Sequence, residues 1–190
     1  MKQQSVMFFL AAALAILLAA CGQKEAVVSD LPASAAFHSS DECHVCGMVI
    51  TRFPGPKGQA FNKNNVVAKF CSVAEMLSWW LQPDNQRQTQ VLYVHDMSNS
   101  NWDAPDDAHM INARQAFYVL APQLRGAMGV TLAAFGSQEA AVQLAAQNGT
   151  EVMNFEQVSD FLAREEGHSG DTLPHGKPHG THDGPHGAHQ

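Results

Sequence analysis

The chain has 190 residues, of which 45% are hydrophobic and 15% are charged, and its formal net charge is −7 at neutral pH. A chain of this size can bury one good core or two small ones. The acidic balance argues against nucleic-acid binding and against a polybasic membrane patch, because both of those partners are negatively charged.

The first residues have the three parts of an export signal. Lys2 supplies a positive charge, and the apolar run over residues 6–20 is shorter than the about 20 residues that a membrane span needs. Leu18-Ala19-Ala20-Cys21 resembles the lipobox of bacterial lipoproteins, in which the cysteine sulfur carries the lipid. We therefore predict a signal peptide over residues 1–20 and lipidation of Cys21. The alternative is an ordinary signal peptide in which this cysteine is incidental.

Residues 21–36 are mostly small and polar, and we interpret them as a lipidated tether. Gly22 follows Cys21, and the lack of an Asp at this position indicates that the protein is not retained in the inner membrane. Two or three acyl chains on one cysteine hold a protein to a membrane far better than one chain does. We expect a lipid-anchored protein on the periplasmic face of the cell envelope, at the outer membrane.

Two capped helices are predicted in the middle of the chain. Ser72 is a good N-cap for a helix over residues 73–82, and Pro83 stands just past its end. Ser137 is a good N-cap for a second helix over residues 138–147. The first helix has an apolar stripe at helical spacing, formed by Val73, Met76, Leu77 and Trp80. Strand-like runs follow the two helices at residues 91–95 and 151–155, and a closing helix is expected over residues 155–162.

The two halves of this middle region echo one another. Val67-Ala68-Lys69-Phe70-Cys71-Ser72 aligns with Leu132-Ala133-Ala134-Phe135-Gly136-Ser137 at a spacing of 65 residues, and such similarity suggests a duplication. We predict an α+β fold of two small related ββαβ-type units with antiparallel sheet and a helix on one face of each. The first unit covers residues 37–100, and the second covers residues 101–166.

The C-terminal residues 167–190 space six histidines with Gly, Pro, Asp and Thr. This composition cannot form a core, so we predict a disordered tail. Imidazole suits Cu(II), Ni(II) and Zn(II), and the composition therefore predicts an auxiliary metal-binding tail without naming the metal. A solvated tail with no selected role is the alternative. The six histidines are His168, His175, His179, His182, His186 and His189.

The sharpest local motif is Cys43-His44-Val45-Cys46-Gly47-Met48. The two cysteines could form a structural or catalytic disulfide, since the protein is exported. They could also be half of a zinc site, although the sequence contains no second Cys-x-x-Cys. The third interpretation is a Cu(I) site that includes Met48. Haem attachment is excluded because Gly47, and not a histidine, follows the second cysteine.

Met48 favours copper among these three interpretations. Thiolate and thioether ligands are soft and select Cu(I), and a methionine cannot be lost to a disulfide in an oxidising compartment. A low coordination number is typical of a site that gives its ion away, so we expect metal transfer and not permanent storage. Further Met and His residues lie at loop-like positions: His95, Met97, His109, Met110 and Met128.

A thiol–disulfide oxidoreductase using Cys43 and Cys46 is the main alternative function. The redox motif usually begins a helix whose dipole lowers the pKa of the first thiol, whereas residues 47–51 predict a strand because they are rich in β-branched side chains. A zinc-stabilised structural domain is a third possibility. In that case removal of the metal would unfold the protein.

The chain resembles the NosL family, the copper-binding lipoproteins that accompany nitrous-oxide reductase. The resemblance covers roughly residues 40–160. Besides the lipobox, it rests on the motif over residues 43–48, Gly55-Pro56-Lys57-Gly58-Gln59, Phe70-Cys71-Ser72, Tyr93-Val94-His95-Asp96-Met97, Trp102, Ala116-Phe117-Tyr118-Val119, Gly126-Ala127-Met128-Gly129 and Ala134-Phe135.

The resemblance implies a non-enzymatic protein that binds Cu(I) in the periplasm and delivers copper to nitrous-oxide reductase with the help of an ABC-type membrane complex. The metal motif of the family falls on Cys43, Cys46 and Met48. We favour Cys46 and Met48 as the main ligands, because residues two apart in an extended segment point the same way. Cys43 would be an auxiliary ligand or the partner in an oxidised, metal-free state. His109, Met110 and Met128 are candidates for a third ligand from the second unit.

Overall fold

The computed structural model describes residues 31–127 and 129–170. Its strands are β1 (Gly58–Asn62), β2 (Val67–Phe70), β3 (Thr89–His95), β4 (Met110–Asn112), β5 (Phe117–Leu120), β6 (Leu132–Phe135) and β7 (Val152–Met153). Its α-helices are α1 (Val73–Leu81), α2 (Pro83–Gln88), α3 (Gln138–Asn148) and α4 (Phe155–Gly170), and short 3-10 turns lie at Ile50–Arg52, Asp107–His109 and Ala113–Gln115.

The strands form two antiparallel sheets. The first has the order β2-β1-β3-β4, and the second has the order β6-β5-β7. The predicted α+β class with two small antiparallel units is confirmed. One main core lies between them, because buried side chains of both halves belong to the same hydrophobic cluster, among them Phe70, Leu77, Tyr118 and Leu132.

The two helix starts lie where the sequence predicts them. Ser72 accepts a hydrogen bond from the backbone N–H of Glu75 at 3.1 Å, and Ser137 accepts one from Ala140 at 3.4 Å. In both halves a strand, β2 or β6, ends just before the N-cap serine and leads directly into the helix. The sequence similarity between the two halves predicts this arrangement. The apolar stripe of α1 is buried.

Several predicted boundaries differ from the structure, and β4, predicted to belong to the second unit, pairs with β3 in the first sheet. Pro83 does not only follow α1; it occupies the first position of α2, where the missing N–H of proline costs nothing. The strand predicted to reach residue 155 ends at Met153. Asn154 and Gln157 exchange two backbone-to-side-chain hydrogen bonds of 2.9 Å, a reciprocal cap that begins α4 at Phe155. This helix continues to Gly170 and so extends past the predicted start of the tail.

The end of the predicted tether belongs to the folded part of the chain. The Tyr93 hydroxyl donates to the carbonyl of Pro32 at 2.8 Å, and the N–H of Ala35 donates to the fully buried Gln59 at 2.9 Å. Lys69 donates to the carbonyl of Ala36 at 2.6 Å. Residues 32–36 are therefore held against the first sheet.

The signal peptide, Cys21, Met128 and the histidines from His175 onward lie outside the described residues, as does the side chain of His168. Within the described part of the chain, no helix has both the length and the hydropathy that crossing a membrane requires.

Candidate metal centre

Four side chains converge at one end of the first sheet: Cys43, Cys46, Cys71 and Glu75. Their possible ligand atoms, three sulfurs and one carboxylate oxygen, all lie within 4.8 Å of one another. Glu75 Oε2 accepts hydrogen bonds from the thiols of Cys71 at 2.8 Å, Cys43 at 2.9 Å and Cys46 at 3.8 Å. The Cys46 and Cys71 sulfurs are 3.7 Å apart. A single carboxylate oxygen thus lies at the centre of three thiols.

A closed turn positions Cys43 and Cys46. The N–H of Gly47 donates to the carbonyl of Cys43, the N–H of Cys43 donates to the carbonyl of Met48, and both distances are 2.9 Å. Gly47 has a φ of +70°, a left-handed conformation that glycine adopts without the steric cost other residues pay. A bridge between Glu42 and Val49 closes the turn, which places both cysteines beside the same carboxylate.

The strand predicted over residues 47–51 is wrong beyond Val49, where a 3-10 turn over Ile50–Arg52 follows instead. The extended segment that would place Cys46 and Met48 on the same side is also absent, because Gly47 reverses the chain between them. Met48 remains beside the cluster through its backbone carbonyl, and its half-buried side chain packs against the core. Copper binding by the Met48 sulfur stays a prediction.

Cys71 and Glu75 come from the junction between β2 and α1. Cys71 directly follows β2 and precedes the N-cap Ser72, and its thiol reaches Glu75 in the first turn of α1 at 2.8 Å. The carbonyl of Lys69 accepts a hydrogen bond from the N–H of His44 at 2.8 Å, which fastens the cysteine turn to β2. The strand, the turn and the capped helix together bring all four groups to one point.

The four groups differ in exposure. Cys43 and Cys71 are buried, with 3% and 1% exposed, whereas Cys46 and Glu75 are half-buried. Burial raises the pKa of the Cys43 thiol, and the hydrogen bond to Glu75 raises it further. Burial also raises the pKa of Cys71 far above its usual range, with added contributions from Glu75 and from Cys43. These two thiols are therefore protonated in the metal-free protein, and a metal ion that binds their sulfurs must displace protons.

Three thiols and a carboxylate can bind a soft or a borderline metal ion. Thiolates select Cu(I), and a tetrahedral set of three sulfurs and one oxygen also suits Zn(II). The sequence argument against zinc was that the chain contains no second Cys-x-x-Cys to supply the two further ligands. Cys71 and Glu75 remove that argument, so ligand number alone does not distinguish the two metals.

The structure does not bring His109 or Met110 to this cluster. Met110 begins β4 and Cys71 follows β2, and these strands form opposite edges of the first sheet. Three strand spacings separate the two edges, which corresponds to about 14 Å. His109 is exposed, and its Nδ1 lies 3.3 Å from Asp106 Oδ2. Neither residue is placed to serve as a third ligand in this conformation.

The sequence matches the model of the NosL family over residues 34–163. The chain belongs to the NosL family. The copper-binding lipoprotein NosL of Stutzerimonas stutzeri is 51% identical over 181 residues, which cover 95% of this chain and 90% of that protein. The copper-binding lipoprotein NosL of Achromobacter cycloclastes is 31% identical over 159 residues, which cover 82% of this chain and 81% of that protein.

The fold of a solved relative agrees with this assignment to the NosL family. The crystal structure of the copper chaperone NosL from Shewanella denitrificans has a TM-score of 0.63 and 42% sequence identity, and the match covers 67% of this chain and 96% of that chain. The relatives are named as copper-binding lipoproteins and as a copper chaperone. Such proteins are not enzymes, and the prediction of a non-enzymatic protein is confirmed.

Sequence reasoning missed Cys71 and Glu75 as members of the site. Phe70-Cys71-Ser72 contributes to the family resemblance, but nothing in the sequence places Cys71 beside a motif that lies 25 residues earlier. The N-cap at Ser72 was the sequence feature that could have identified Glu75. Because Ser72 is the N-cap, Glu75 has to lie in the first turn of α1, where its side chain returns toward Cys71.

Replacing Glu75 with Gln should lower the pKa values of Cys43 and Cys71 toward their ordinary range. The change keeps the size of the side chain and the burial of both thiols, but it removes the carboxylate that accepts from the two thiols and the negative charge that disfavours the Cys71 thiolate. Thiolate absorbance followed through an anaerobic pH titration measures the shift. Glu139→Gln on exposed α3 is the control, and equal titration curves for the two variants would refute the role of Glu75.

His95, one of the loop-like histidines of the sequence, is instead buried in β3 with both ring nitrogens engaged. Its Nδ1 accepts from the N–H of Lys57 at 3.0 Å, and its Nε2 lies 3.0 Å from Asp107 Oδ1. Burial lowers the pKa of His95 below its usual 6.5, although Asp107 opposes the shift. The ring is therefore held neutral as part of the scaffold and is not a free metal ligand.

This lowered pKa predicts a loss of stability in acid. Between the folded-state pKa of His95 and 6.5, the unfolded chain binds more protons than the folded protein, so the free energy of unfolding falls as the pH drops through that range. Urea denaturation from about pH 7.5 to about pH 5.5, each about one unit from the usual histidine value, measures the slope. His95→Gln should reduce the slope, and an undiminished slope in that variant would contradict the assignment.

Proposed function

We propose that this protein is a lipid-anchored Cu(I) metallochaperone on the periplasmic face of the cell envelope, and that it delivers copper for the maturation of nitrous-oxide reductase. The observation that carries the proposal is the cluster of three thiols around Glu75, with Cys46 as its half-buried member. The names of the relatives support copper as the metal and the lipid anchor as the means of attachment.

Soft sulfur ligands favour Cu(I) over harder ions. A chaperone also needs to release its ion, and the difference in exposure among the cysteines provides a route. A partner that offers similar ligands approaches Cys46 first, because Cys43 and Cys71 are buried. Copper then passes by stepwise exchange of sulfur ligands, and the departing thiols regain their protons. We propose that the receiving side is nitrous-oxide reductase with its ABC-type maturation complex.

The oxidoreductase alternative lacks the geometry that activates a redox cysteine. In such enzymes the first cysteine lies at a helix N-terminus and has a lowered pKa. Here a glycine turn follows Cys46, and burial raises the pKa of Cys43. The motif is therefore arranged to keep its first thiol protonated, which suits a metal site better than a thiolate nucleophile.

Anaerobic Cu(I) titration of the mature protein against a competing chromophoric chelator tests the proposal. The protein without residues 168–190 should still bind one Cu(I) tightly, and Cys46→Ala should lose that site. Met48→Ala tests the thioether ligand, with Met110→Ala at the opposite sheet edge as its matched control. Retention of full affinity in Cys46→Ala, or binding only when the tail is present, would refute the assignment of the site.

Delivery needs a separate measurement. The Cu(I)-loaded protein is mixed with copper-free nitrous-oxide reductase, and copper in the separated reductase is quantified. The copper-loaded protein should transfer its ion faster than the same concentration of Cu(I) held by the chelator. An equal or slower rate would contradict the chaperone role while leaving Cu(I) binding intact.

A further inference from the structure

The three thiols of the metal centre are not equivalent partners for one another. The sulfurs of Cys46 and Cys71 are in contact at 3.7 Å, and their residues are 25 positions apart in the sequence. The thiols of Cys43 and Cys71 both donate to Glu75 Oε2, at 2.9 Å and 2.8 Å, while Cys46 is farther from that carboxylate, at 3.8 Å. Cys46 therefore has a direct sulfur contact with Cys71, a residue outside its own motif.

Cys46 and Cys71 also differ in exposure, and this difference determines which of the two thiols reacts first with an oxidant. Cys46 is half-buried and is accessible to a small oxidant, whereas Cys71 is 1% exposed and Cys43 is 3% exposed. An external disulfide therefore reacts first at Cys46. The buried sulfur in contact with Cys46 is then positioned to complete the exchange.

We propose that the metal-free protein forms an internal disulfide between Cys46 and Cys71, and not within the Cys-x-x-Cys motif, and that this bond closes the copper site. The effect on copper rests on the proposed function, whereas formation of the bond does not. The structure thus assigns a redox gate to a pair that joins the cysteine turn to the start of α1.

The reaction with a small-molecule disulfide such as oxidised glutathione is balanced. The Cys46 thiol loses its proton, attacks one glutathione sulfur and releases the first reduced glutathione, which leaves a mixed disulfide on Cys46. The Cys71 sulfur then attacks the Cys46 sulfur and expels the second glutathione, while the Cys71 proton passes by way of Glu75 Oε2, 2.8 Å away, to the departing glutathione sulfur. Two protein thiols lose two electrons and two protons, and one glutathione disulfide is reduced to two thiols.

The consequence is loss of two of the three sulfur ligands. Only Cys43 and Glu75 remain of the four converging groups, and a carboxylate with one thiol is a poor site for a soft ion. Oxidised protein should therefore bind Cu(I) more than about 100-fold more weakly than reduced protein, since even a residue outside the ligand shell contributes 10- to 100-fold. Dithiothreitol should restore the affinity, and bound Cu(I) should block formation of the disulfide.

Peptide mapping of the wild-type protein tests the pairing directly. The metal-free mature protein is incubated with oxidised glutathione, blocked with N-ethylmaleimide at acidic pH and digested with trypsin. Cleavage after Lys24, Arg52, Lys69 and Arg87 places Cys43 and Cys46 on one peptide, residues 25–52, and Cys71 on another, residues 70–87. A Cys46–Cys71 bond links the two peptides and leaves the maleimide on Cys43.

An internally looped peptide 25–52, or a linked pair with the maleimide on Cys46, would overturn the pairing. Variants give a second measurement. Cys43→Ser should form the disulfide at a rate within about twofold of wild type, and Cys71→Ser should accumulate the mixed disulfide with glutathione at least tenfold longer. A Cys71→Ser protein that resolves the mixed disulfide as fast as wild type would also overturn the proposal.

The copper measurement separates failure of the gate from failure of the proposed function. Oxidised protein that binds Cu(I) as tightly as reduced protein would refute the gate, even if the Cys46–Cys71 bond forms. Reduced protein that binds no Cu(I) would refute the proposed function. In that case the peptide map would still decide the pairing.

Discussion

Cys71→Ala should weaken Cu(I) binding by more than about 100-fold, although Cys71 lies outside the Cys-x-x-Cys-Gly-Met motif. Its sulfur lies within 4.8 Å of the other ligand atoms of the cluster and contacts the Cys46 sulfur at 3.7 Å. Loss of a residue outside the ligand shell of a metal site typically costs 10- to 100-fold in affinity, and loss of a direct sulfur ligand should cost more. Competition with a chromophoric chelator under anaerobic conditions measures the change.

Cys71→Ser is the matched variant for this experiment, because it keeps a side chain of similar size while replacing the sulfur. It should lose as much affinity as Cys71→Ala, and circular dichroism should show that both variants keep the fold. Full affinity in Cys71→Ser would show that Cu(I) binds at Cys43, Cys46 and Met48 without the helix. The copper site would then be the linear motif alone.

The local features of the fold were predictable because their causes are local. Ser72 and Ser137 cap the helices that follow them, and each needs only the next three residues to do so. The buried stripe of α1 follows from helical spacing alone. These parts of the prediction needed no knowledge of which segments meet in the folded chain.

The set of residues that forms the site was harder to predict from the sequence, because it depends on contacts between distant segments. Nothing in the order of residues states that the turn at Cys43 is fastened to the backbone of Lys69 at the end of β2. The motif itself was also misinterpreted locally. β-branched residues after Gly47 indicate a strand, but the tight turn requires a left-handed glycine and reverses the chain before Met48.

Phe70→Ala should lower the free energy of unfolding by about 3–5 kcal/mol, the typical cost of removing a large aromatic side chain from a core. Phe70 is completely buried, and its ring centroid lies 5.2 Å from that of Trp79 and 5.8 Å from that of His44. It directly precedes Cys71, so the same packing that stabilises the fold also fixes the β2–α1 junction. Urea denaturation of the metal-free, reduced protein measures the loss.

Val66→Ala is the control for this variant, since Val66 is 62% exposed and a surface change of this kind usually alters stability by less than about 0.5 kcal/mol. The comparison also distinguishes a chaperone from a zinc-stabilised domain. If the hydrophobic core holds the site in place, the wild type stays folded in the presence of a chelator, and Phe70→Ala lowers the urea midpoint of the metal-free protein. If the metal holds the fold, the chelator unfolds the wild type. Phe70→Ala and Val66→Ala are then equally unfolded once the metal is removed. A chaperone has to survive each release of its ion, so only the first result is compatible with repeated copper transfer.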